Sequence, residues 1–317
     1  MNRLLLAAAL LGAGTAHASC GSAFCSLGTD WSMQGAWTEP GVRADLRYET
    51  IHQDQPMSGS RRVGVGEIPQ HHDEVSTVNR NWLAAIDYTL NQDWALNASI
   101  PYSDREHRHI HNHAGGKLPE QWDFAQVGDV RVLARRRLAT LENAAAHSIG
   151  TAGFNIGLKL PTGATTITNG NGDRAERTLQ PGTGTTDLLA GAYYSQALPL
   201  KSLSWFVQGL VQVPLNSHED FRPGHRITAD AGLRYLAADK ASLLLQLNAL
   251  WRGRDSGAQA ESDDSGGRAF FLSPGASYAL NNDVQVYAFL QLPLYQYVNG
   301  VQLTARRALA LGVSARF

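Results

Sequence analysis

The sequence predicts an all-β fold: a single transmembrane antiparallel up-and-down β-barrel of about 12 strands, with a short N-terminal periplasmic or plug segment. Three observations predict it. Residues 309–317 place an apolar side chain at every second position, the period-2 pattern of a strand with one apolar face. The N-terminus has the features of a secretory leader, and short and long connections alternate between the candidate strands.

The leader is expected to cover residues 1–18. It carries one Arg near its start, then an apolar stretch too short to span a bilayer, and it ends in a small-x-small cleavage motif, Ala-His-Ala. We therefore expect the mature chain to begin at Ser19. A lipid anchor on Cys20 is the alternative, and it is disfavoured because His17 stands where lipoprotein signals carry an aliphatic residue.

Composition narrows the class of protein. The formal net charge is -1, and a chain so close to neutral argues against nucleic acid as a partner. Hydrophobic residues make up 43% of the sequence, yet no later segment approaches the roughly 18 consecutive apolar residues of a membrane helix. These facts fit either a secreted soluble β-protein or an outer-membrane barrel, and the arrangement of strands separates the two.

The barrel itself is expected over residues 41–317. Period-2 alternation marks candidate strands near 42–51, 78–90, 94–102, 127–138, 149–160, 186–198, 203–214, 226–237, 241–252, 269–280, 284–295 and 302–317. Short connections are expected at 91–93, 139–148, 199–202, 238–240 and 281–283, and long loops at 52–77, 103–126, 161–185, 215–225 and 253–268. Outer-membrane barrels place short turns on the periplasmic side and long loops outside, and an even strand count returns both termini to the periplasm.

Aromatic residues occur where strands would cross the membrane interfaces, on the apolar face, as an aromatic girdle requires. They are Trp82, Tyr88, Trp94, Tyr102, Tyr194, Trp205, Tyr235, Trp251 and Tyr278. Two charged residues break the alternation. Arg136 falls on the lipid side near the periplasmic rim, and Arg307 requires a β-bulge or a rim position.

The C-terminal residue, Phe317, resembles the aromatic signal by which outer-membrane barrel proteins are recognised for insertion. The resemblance implies a location in the bacterial outer membrane. It also implies two partners, the barrel-assembly machinery and the lipids of that membrane.

Several motifs resemble the outer-membrane barrel family named for the meta-pathway of phenol degradation. They are Gly128-Asp129-Val130, the run from Gly157 to Gly163 (Gly-Leu-Lys-Leu-Pro-Thr-Gly), and the run from Gln180 to Asp187 (Gln-Pro-Gly-Thr-Gly-Thr-Thr-Asp). The resemblance covers roughly residues 125–317 and implies transport of aromatic compounds, with no catalytic site to carry over. The first hundred residues depart from the family pattern.

Alternation directs many basic side chains into the lumen. The candidate solute path comprises Arg43, Arg47, Arg131, Arg135, Arg137, Arg226, Arg234, Arg252, Tyr287 and Tyr295. Such a surface favours anions, and the aromatic rings could hold an aromatic acid by stacking and cation–π contact. The alternative is a set of Arg–carboxylate pairs that stabilises the wall, since buried charges must be paired.

Residues 19–40 precede the first strand and contain Cys20, Cys25 and two Trp. Both thiols emerge in the oxidising periplasm with no other cysteine to choose, so a Cys20–Cys25 disulfide is expected; a metal or redox role for the pair is the alternative. The segment is expected to enter the periplasmic mouth as a plug or to dock a periplasmic partner.

A separate motif is a tract of alternating histidines within the expected external loop 103–126. On an extended chain His107, His109, His111 and His113 share one side and could converge on a transition metal, with the pair at 71–72 completing the ligand set. The alternative is a solvated loop that merely tolerates histidine.

These observations favour an outer-membrane barrel, not an enzyme, that passes or binds a small anion or aromatic acid through a partly plugged, Arg-lined lumen. No catalytic constellation is present: Ser273 and Ser277 lie on a candidate strand without His, and no other cofactor motif occurs. Two alternatives stay open. One is a metal-handling barrel that captures a transition metal at the His tract, and the other is a closed structural barrel.

Overall fold

The computed structural model describes residues 25–29, 40–69, 73–113, 116–143 and 147–317. Its strands are β1 (Gly41–Gly59), β2 (Arg61–Arg62), β3 (Asp73–Thr89), β4 (Trp94–His113), β5 (Gly116–Val127), β6 (Arg131–Asn143), β7 (Ser148–Lys159), β8 (Asp187–Leu198), β9 (Leu203–Pro214), β10 (Arg226–Ala238), β11 (Ala241–Arg252), β12 (Gly267–Ala279) and β13 (Val284–Arg316). In these residues no helix combines the length and the apolarity needed to cross a membrane.

The strands form one closed antiparallel barrel. Each strand of the ring pairs with its neighbour along the chain, and β1 closes the ring by pairing with β13 from Arg43 opposite Arg316 upward. Within the described residues, 11 strands make the ring, and β2 and β5 lie outside it. The predicted fold class is therefore confirmed.

The last strand crosses the wall twice. The first half of β13 pairs with β12 up to Val298, and its second half pairs with β1 down to Arg316. The chain reverses at Asn299-Gly300, where Gly300 has a φ of 56° that favours glycine. Two of the predicted strands, 284–295 and 302–317, are thus the halves of one hairpin, and the ring of 11 strands contains the 12 wall crossings that alternation predicts.

The tight turns at one end of the barrel are built by asparagine. The Asn91 carboxamide oxygen accepts hydrogen bonds from the backbone of Asp93 and Trp94, at 2.9 and 3.0 Å. Asn281 does the same for the backbone of Asp283 and Val284, both at 2.8 Å. These Asx turns let the chain reverse in a few residues, as the Asn-x-Asp sequences suggest.

The outer surface is apolar and carries the predicted aromatic side chains. Trp82 and Tyr102 are partners in the β3–β4 register, and Trp94 begins β4 at the other end of the apolar band. Their side chains are 37–45% exposed, as expected for groups that face lipid. The nine residues from Trp94 to Tyr102 span about 26 Å along a strand, which matches a tilted crossing of the outer membrane.

Two of the predicted loops are largely strand. Residues 103–126 form the β4–β5 hairpin, in which Tyr102 to His113 pair with Gly116 to Val127, and much of 52–77 extends β1 and β3. The prediction was wrong because alternation of apolar with polar residues marks a strand only where one face meets lipid. Beyond Tyr102 both faces are polar, so this signal disappears although the hydrogen-bonded ladder continues.

Two bulges decide the direction of two side chains. A register shift between Ile51 and Gln53 leaves one extra residue in the β13 partner, and Arg307 turns to the lumen side, as the predicted bulge requires. A second shift near Pro293 reverses the direction of Tyr295, which lies on the lipid face with its ring 6.2 Å from the Phe270 ring. The prediction that Tyr295 faces the lumen was therefore wrong. Proline has no N–H for the ladder, which favours a bulge there.

Candidate functional site in the barrel lumen

Residues 25–29 of the N-terminal segment lie inside the barrel. Side chains of the wall hold this segment through its backbone. The hydrogen bonds are Asn81 Nδ2 to the Cys25 carbonyl (2.8 Å), the Leu27 N–H to Glu49 Oε2 (3.3 Å), Asn248 Nδ2 to the Gly28 carbonyl (3.0 Å) and Arg47 Nη1 to the Thr29 carbonyl (2.6 Å). Because these partners come from β1, β3 and β11, the segment reaches across the lumen instead of following one strand.

Leu27 anchors the segment by its side chain. It is 6% exposed and belongs to an apolar cluster whose other members are Ile51, Leu244, Tyr287, Phe289, Ala305, Ala308 and Ala310. Burying a leucine side chain stabilises the docked segment by about 1.5–3 kcal/mol. The small alanines of β13 leave the space that Leu27 fills.

A cleft lies beside the segment. Its lining includes Ser26 and Gly28 of the segment, with Arg226, Asp230, Phe271 and Arg307 among the wall residues. Two guanidinium groups face one carboxylate there, and the Phe271 ring adds an apolar surface. The cleft therefore combines positive charge with an aromatic side chain.

Three of the predicted path arginines are paired with acidic residues. Arg43 binds Asp87 at 2.6 Å, and Arg252 binds both oxygens of Asp255 at 2.8 and 3.0 Å. Arg47 binds Glu49 and also the segment, as described above. These contacts are the stabilising network that the sequence offered as the alternative to a selective path.

The other predicted arginines lie among fewer acidic neighbours. Arg135 donates to the Asn155 carboxamide oxygen at 3.3 Å and lies 5.5 Å from the centre of the Tyr193 ring, and Arg234 donates to Ser242 at 3.0 Å. In the described part of the chain no carboxylate lies within ion-pair distance of Arg131, Arg137 or Arg226; their partial exposure leaves them in contact with the lumen. The basic lining thus divides into arginines that form ion pairs and arginines, such as Arg131 and Arg226, with no carboxylate at ion-pair distance among the described residues.

Tyr287 faces the lumen, as alternation predicts. Its hydroxyl donates to Asp45 at 2.9 Å, and its ring lies 6.1 Å from that of Phe289. Gly312 gives it room, since a Cβ there would lie 2.2 Å from the Tyr287 ring. Tyr287 is therefore packed into the wall and supports the cluster around Leu27.

The three motifs that resemble the phenol meta-pathway family meet at one cluster of ion pairs around Lys159. Lys159 binds Asp129 at 2.7 Å, Asp187 at 3.4 Å and the Thr185 carbonyl at 2.8 Å, and all four residues are at most 7% exposed. Each motif quoted above supplies one or two of these groups. Asp129 also accepts a hydrogen bond from the Gly163 N–H at 3.0 Å.

The contacts around Lys159 hold the connection at 160–186 so that it turns toward the lumen. Gly163 packs so tightly on Gly182 that a Cβ on Gly163 would lie 2.7 Å from the Gly182 Cα. Farther along the connection Leu179 is fully buried, and its carbonyl accepts a hydrogen bond from Arg105 at 2.6 Å. Leu179 shares an apolar cluster with Trp122, against which Cys25 packs. The connection therefore contacts the N-terminal segment from the opposite end of the barrel.

The His tract lies on β4, and its inner members are buried. His107 is fully buried and His109 is 3% exposed, whereas the side chain of His111 is 24% exposed. The structure thus corrects the prediction of an exposed loop: this stretch is a strand, so His107 and His109 do share one face, but that face is covered by Trp122 and the connection at 160–186. His113 ends the strand, and residues 71–72 lie outside the described part of the chain.

Several acidic residues near the tract were not identified from the sequence. Glu74, Glu120 and Glu176 lie within 4 Å of its imidazoles. Burial raises the pKa of Glu176 to about 8, and burial together with the neighbouring Glu176 and Glu74 raises the pKa of Glu261. No local motif marks these residues, because they come from β3, β5 and two long connections.

Two further predictions concern the ends of the chain. Cys20 lies outside the described residues, so the Cys20–Cys25 disulfide stays a prediction. Phe317 pairs with β1, its N–H donating to the Val42 carbonyl at 2.9 Å, and its side chain is 80% exposed. This places an accessible aromatic ring at the seam of the barrel.

The fold is shared with solved outer-membrane channels. The COG4313 outer membrane channel from Pseudomonas putida F1 superposes with a TM-score of 0.65 and 16% sequence identity, over 91% of this chain and 99% of that chain. The NanC porin gives a TM-score of 0.47 and 11% identity, over 86% and 100%. No family model and no curated protein matches the sequence. The chain therefore shares the closed β-barrel fold of that outer membrane channel.

Proposed function

We propose that the protein is an outer-membrane channel for small solutes, narrowed by residues 25–29 from one end and by the connection at 160–186 from the other. One observation carries this proposal: a segment held across the lumen by one buried leucine, and by four hydrogen bonds between its backbone and side chains of the wall, leaves a basic cleft beside it. A barrel that served only as a scaffold would not need arginine side chains around such a cleft.

The preferred solute is a small anion, and an aromatic acid fits best. Arg226 and Arg307 outnumber Asp230 in the cleft, and Asp230 already accepts hydrogen bonds from Asn248 at 2.8 Å and Gln208 at 3.1 Å. A carboxylate would find guanidinium donors there, and Phe271 offers its ring to an aromatic body. The mechanism is diffusion, with selectivity from charge and shape.

Two likenesses support this reading. The solved structure that superposes over nearly the whole chain is described as an outer membrane channel. The motifs around Asp129 and Lys159 resemble the phenol meta-pathway family, which implies transport of aromatic compounds. Both agree with a passive channel. Ser273 and Ser277 are buried, and Ser273 donates to Asn248 at 2.8 Å within the lumen, away from lipid substrates.

The test is uptake into liposomes that contain the refolded protein. Benzoate, which is negatively charged, is compared with two solutes of similar shape: benzyl alcohol, which is uncharged, and benzylamine, which is positively charged. We expect benzoate to enter fastest. Arg226→Glu should lower the ratio of benzoate to benzylamine uptake, because it reverses a charge in the cleft.

Arg136→Glu is the matched control. Arg136 lies on the lipid side, 3.3 Å from Asp93 and stacked 5.0 Å from the Trp94 ring, so its reversal should leave the ratio unchanged. Equal uptake of all three solutes, or an equal effect of the two substitutions, would remove the proposed selectivity. No uptake by a folded barrel would favour the closed structural barrel.

A further inference from the structure

A compact set of nitrogen and oxygen atoms lies above the membrane-facing band, between β3 and β4. His107 Nε2 is 3.3 Å from His109 Nδ1 and 3.7 Å from Glu74 Oε2. One ligand atom from each of Glu74, His107 and His109 lies within 4.8 Å of the others, and all three side chains are buried. Nothing in the solute path described above uses them.

The two imidazoles are held so that their inner nitrogens face each other. His109 Nε2 is 2.8 Å from Glu120 Oε2, and an ionised carboxylate can only accept, so this nitrogen carries the proton and His109 Nδ1 keeps its lone pair. His107 Nδ1 is 2.8 Å from the Thr77 hydroxyl, which orients that ring and leaves Nε2 pointing at the cluster. Partners of this kind fix the tautomer and direction of metal-binding histidines.

Glu74 is the second, independent observation. It is 1% exposed, and neither of its carboxylate oxygens accepts a hydrogen bond from any group in the described part of the chain. A buried carboxylate without a donor is costly, so such a group needs a proton or a cation. Its position next to two inward nitrogen atoms favours a cation.

The distances suit a transition metal. Zinc binds His nitrogen and carboxylate oxygen at about 2.0–2.2 Å in a tetrahedron, whose ligand atoms are then about 3.3–3.6 Å apart. The separation of 3.3 Å between the two nitrogen atoms lies in this range, and the 3.7 Å between His107 Nε2 and Glu74 Oε2 lies just above it. Glu176 Oε1 lies 3.9 Å from His109 Nδ1, next to the fourth position.

We propose that Glu74, His107 and His109 bind a divalent transition-metal ion of the zinc class, with Glu120 and Thr77 orienting the two imidazoles. Mixed imidazole and carboxylate ligands suit Zn²⁺, Co²⁺ or Ni²⁺ better than Ca²⁺ or Mg²⁺, which take oxygen ligands. The ligands come from β3 and β4, so the ion would lie on the covered face of the extended hairpin and not at His111 and His113, farther along β4.

The test uses the whole barrel in detergent, freed of metal with a chelator. Zn²⁺ is titrated by calorimetry, and Co²⁺ by its visible absorption, which is intense only in a tetrahedral site. We expect one ion per chain with a Kd of about 1 µM or tighter, and an intense Co²⁺ band. Glu74→Gln keeps the shape of the side chain and should weaken binding by roughly 100-fold or more, while Glu120→Gln should cost about 10–100-fold.

Two controls separate this site from its neighbours. Glu106→Gln changes a carboxylate on the opposite face of β4, and a variant with both His111 and His113 replaced by Asn changes the outer half of the tract; both should bind Zn²⁺ as the unmodified protein does. The heat-dependent gel mobility of the barrel checks that each variant folds.

Three results would overturn the assignment. One is loss of binding in the His111/His113 variant with binding retained by Glu74→Gln, which would place the ion at the exposed end. The second is equal loss in Glu106→Gln. The third is the absence of Zn²⁺ binding tighter than millimolar in the folded, unmodified protein, which would mean that Glu74 is buried as the neutral acid.

Discussion

Replacing Leu27 with Ala should release the N-terminal segment from the lumen. Leu27 is 6% exposed against rigid strand positions, and a buried Leu→Ala change costs about 2–5 kcal/mol. The adjoining cleft can admit water into the space left behind, so we expect the lower end, about 2 kcal/mol. Since 1.4 kcal/mol corresponds to a tenfold change in an equilibrium constant, the ratio of released to docked segment should rise roughly 30-fold.

Single-channel recording measures this ratio as the time spent at a higher conductance level. A chain refolded without residues 19–40 defines the level of the fully released state. Leu200→Ala is the matched control, because Leu200 is 76% exposed in a turn and its loss should not change the ratio. If the Leu27→Ala variant spends no more time at the released conductance level than the unmodified protein does, residues 25–29 do not narrow the conducting path.

Three further outcomes are expected. Lys159→Met leaves Asp129 buried without its cation and should lower the free energy of unfolding by about 3–5 kcal/mol in a denaturant titration, whereas Arg61→Met, which breaks an ion pair with the exposed Glu67, should leave it almost unchanged; equal effects would contradict the cluster's role. Phe317→Asp should reduce the amount of barrel in the outer membrane without affecting leader cleavage, and normal membrane levels would count against the terminal signal. Alkylation of the unfolded, unreduced protein should label no thiol if Cys20 and Cys25 are bridged, and two labelled thiols would refute the bridge.

The sequence predicted the wall of the barrel where lipid contacts it. Alternation identified every wall crossing because lipid imposes an apolar outer face on an otherwise polar chain. Alternation did not identify residues 103–126 as strands, because water replaces lipid there and the outward-facing side chains no longer need to be apolar. It also misplaced Tyr295, since a bulge at Pro293 shifts the alternation by one residue, while the comparable bulge before Arg307 was predictable from a charge on the wrong face.

The candidate site was predictable only in part. Alternation directed Arg226 and Tyr287 into the lumen correctly, but it could not tell a paired arginine from one available to a solute. The contacts of residues 25–29 and the approach of Glu74 to His107 join positions far apart in the chain. No local pattern encodes such contacts, because they depend on which residues the closed barrel brings to the same height.

Conductance of the refolded, unmodified protein in a planar bilayer tests the central claim most directly. With a salt gradient across the bilayer, a channel with a narrowed basic lumen should give discrete, small current steps and a reversal potential on the anion-selective side. Steps with cation preference would contradict the assignment of the basic cleft to the conducting path. A barrel that is folded by gel mobility yet gives no steps with any salt would contradict the proposal that solutes cross it.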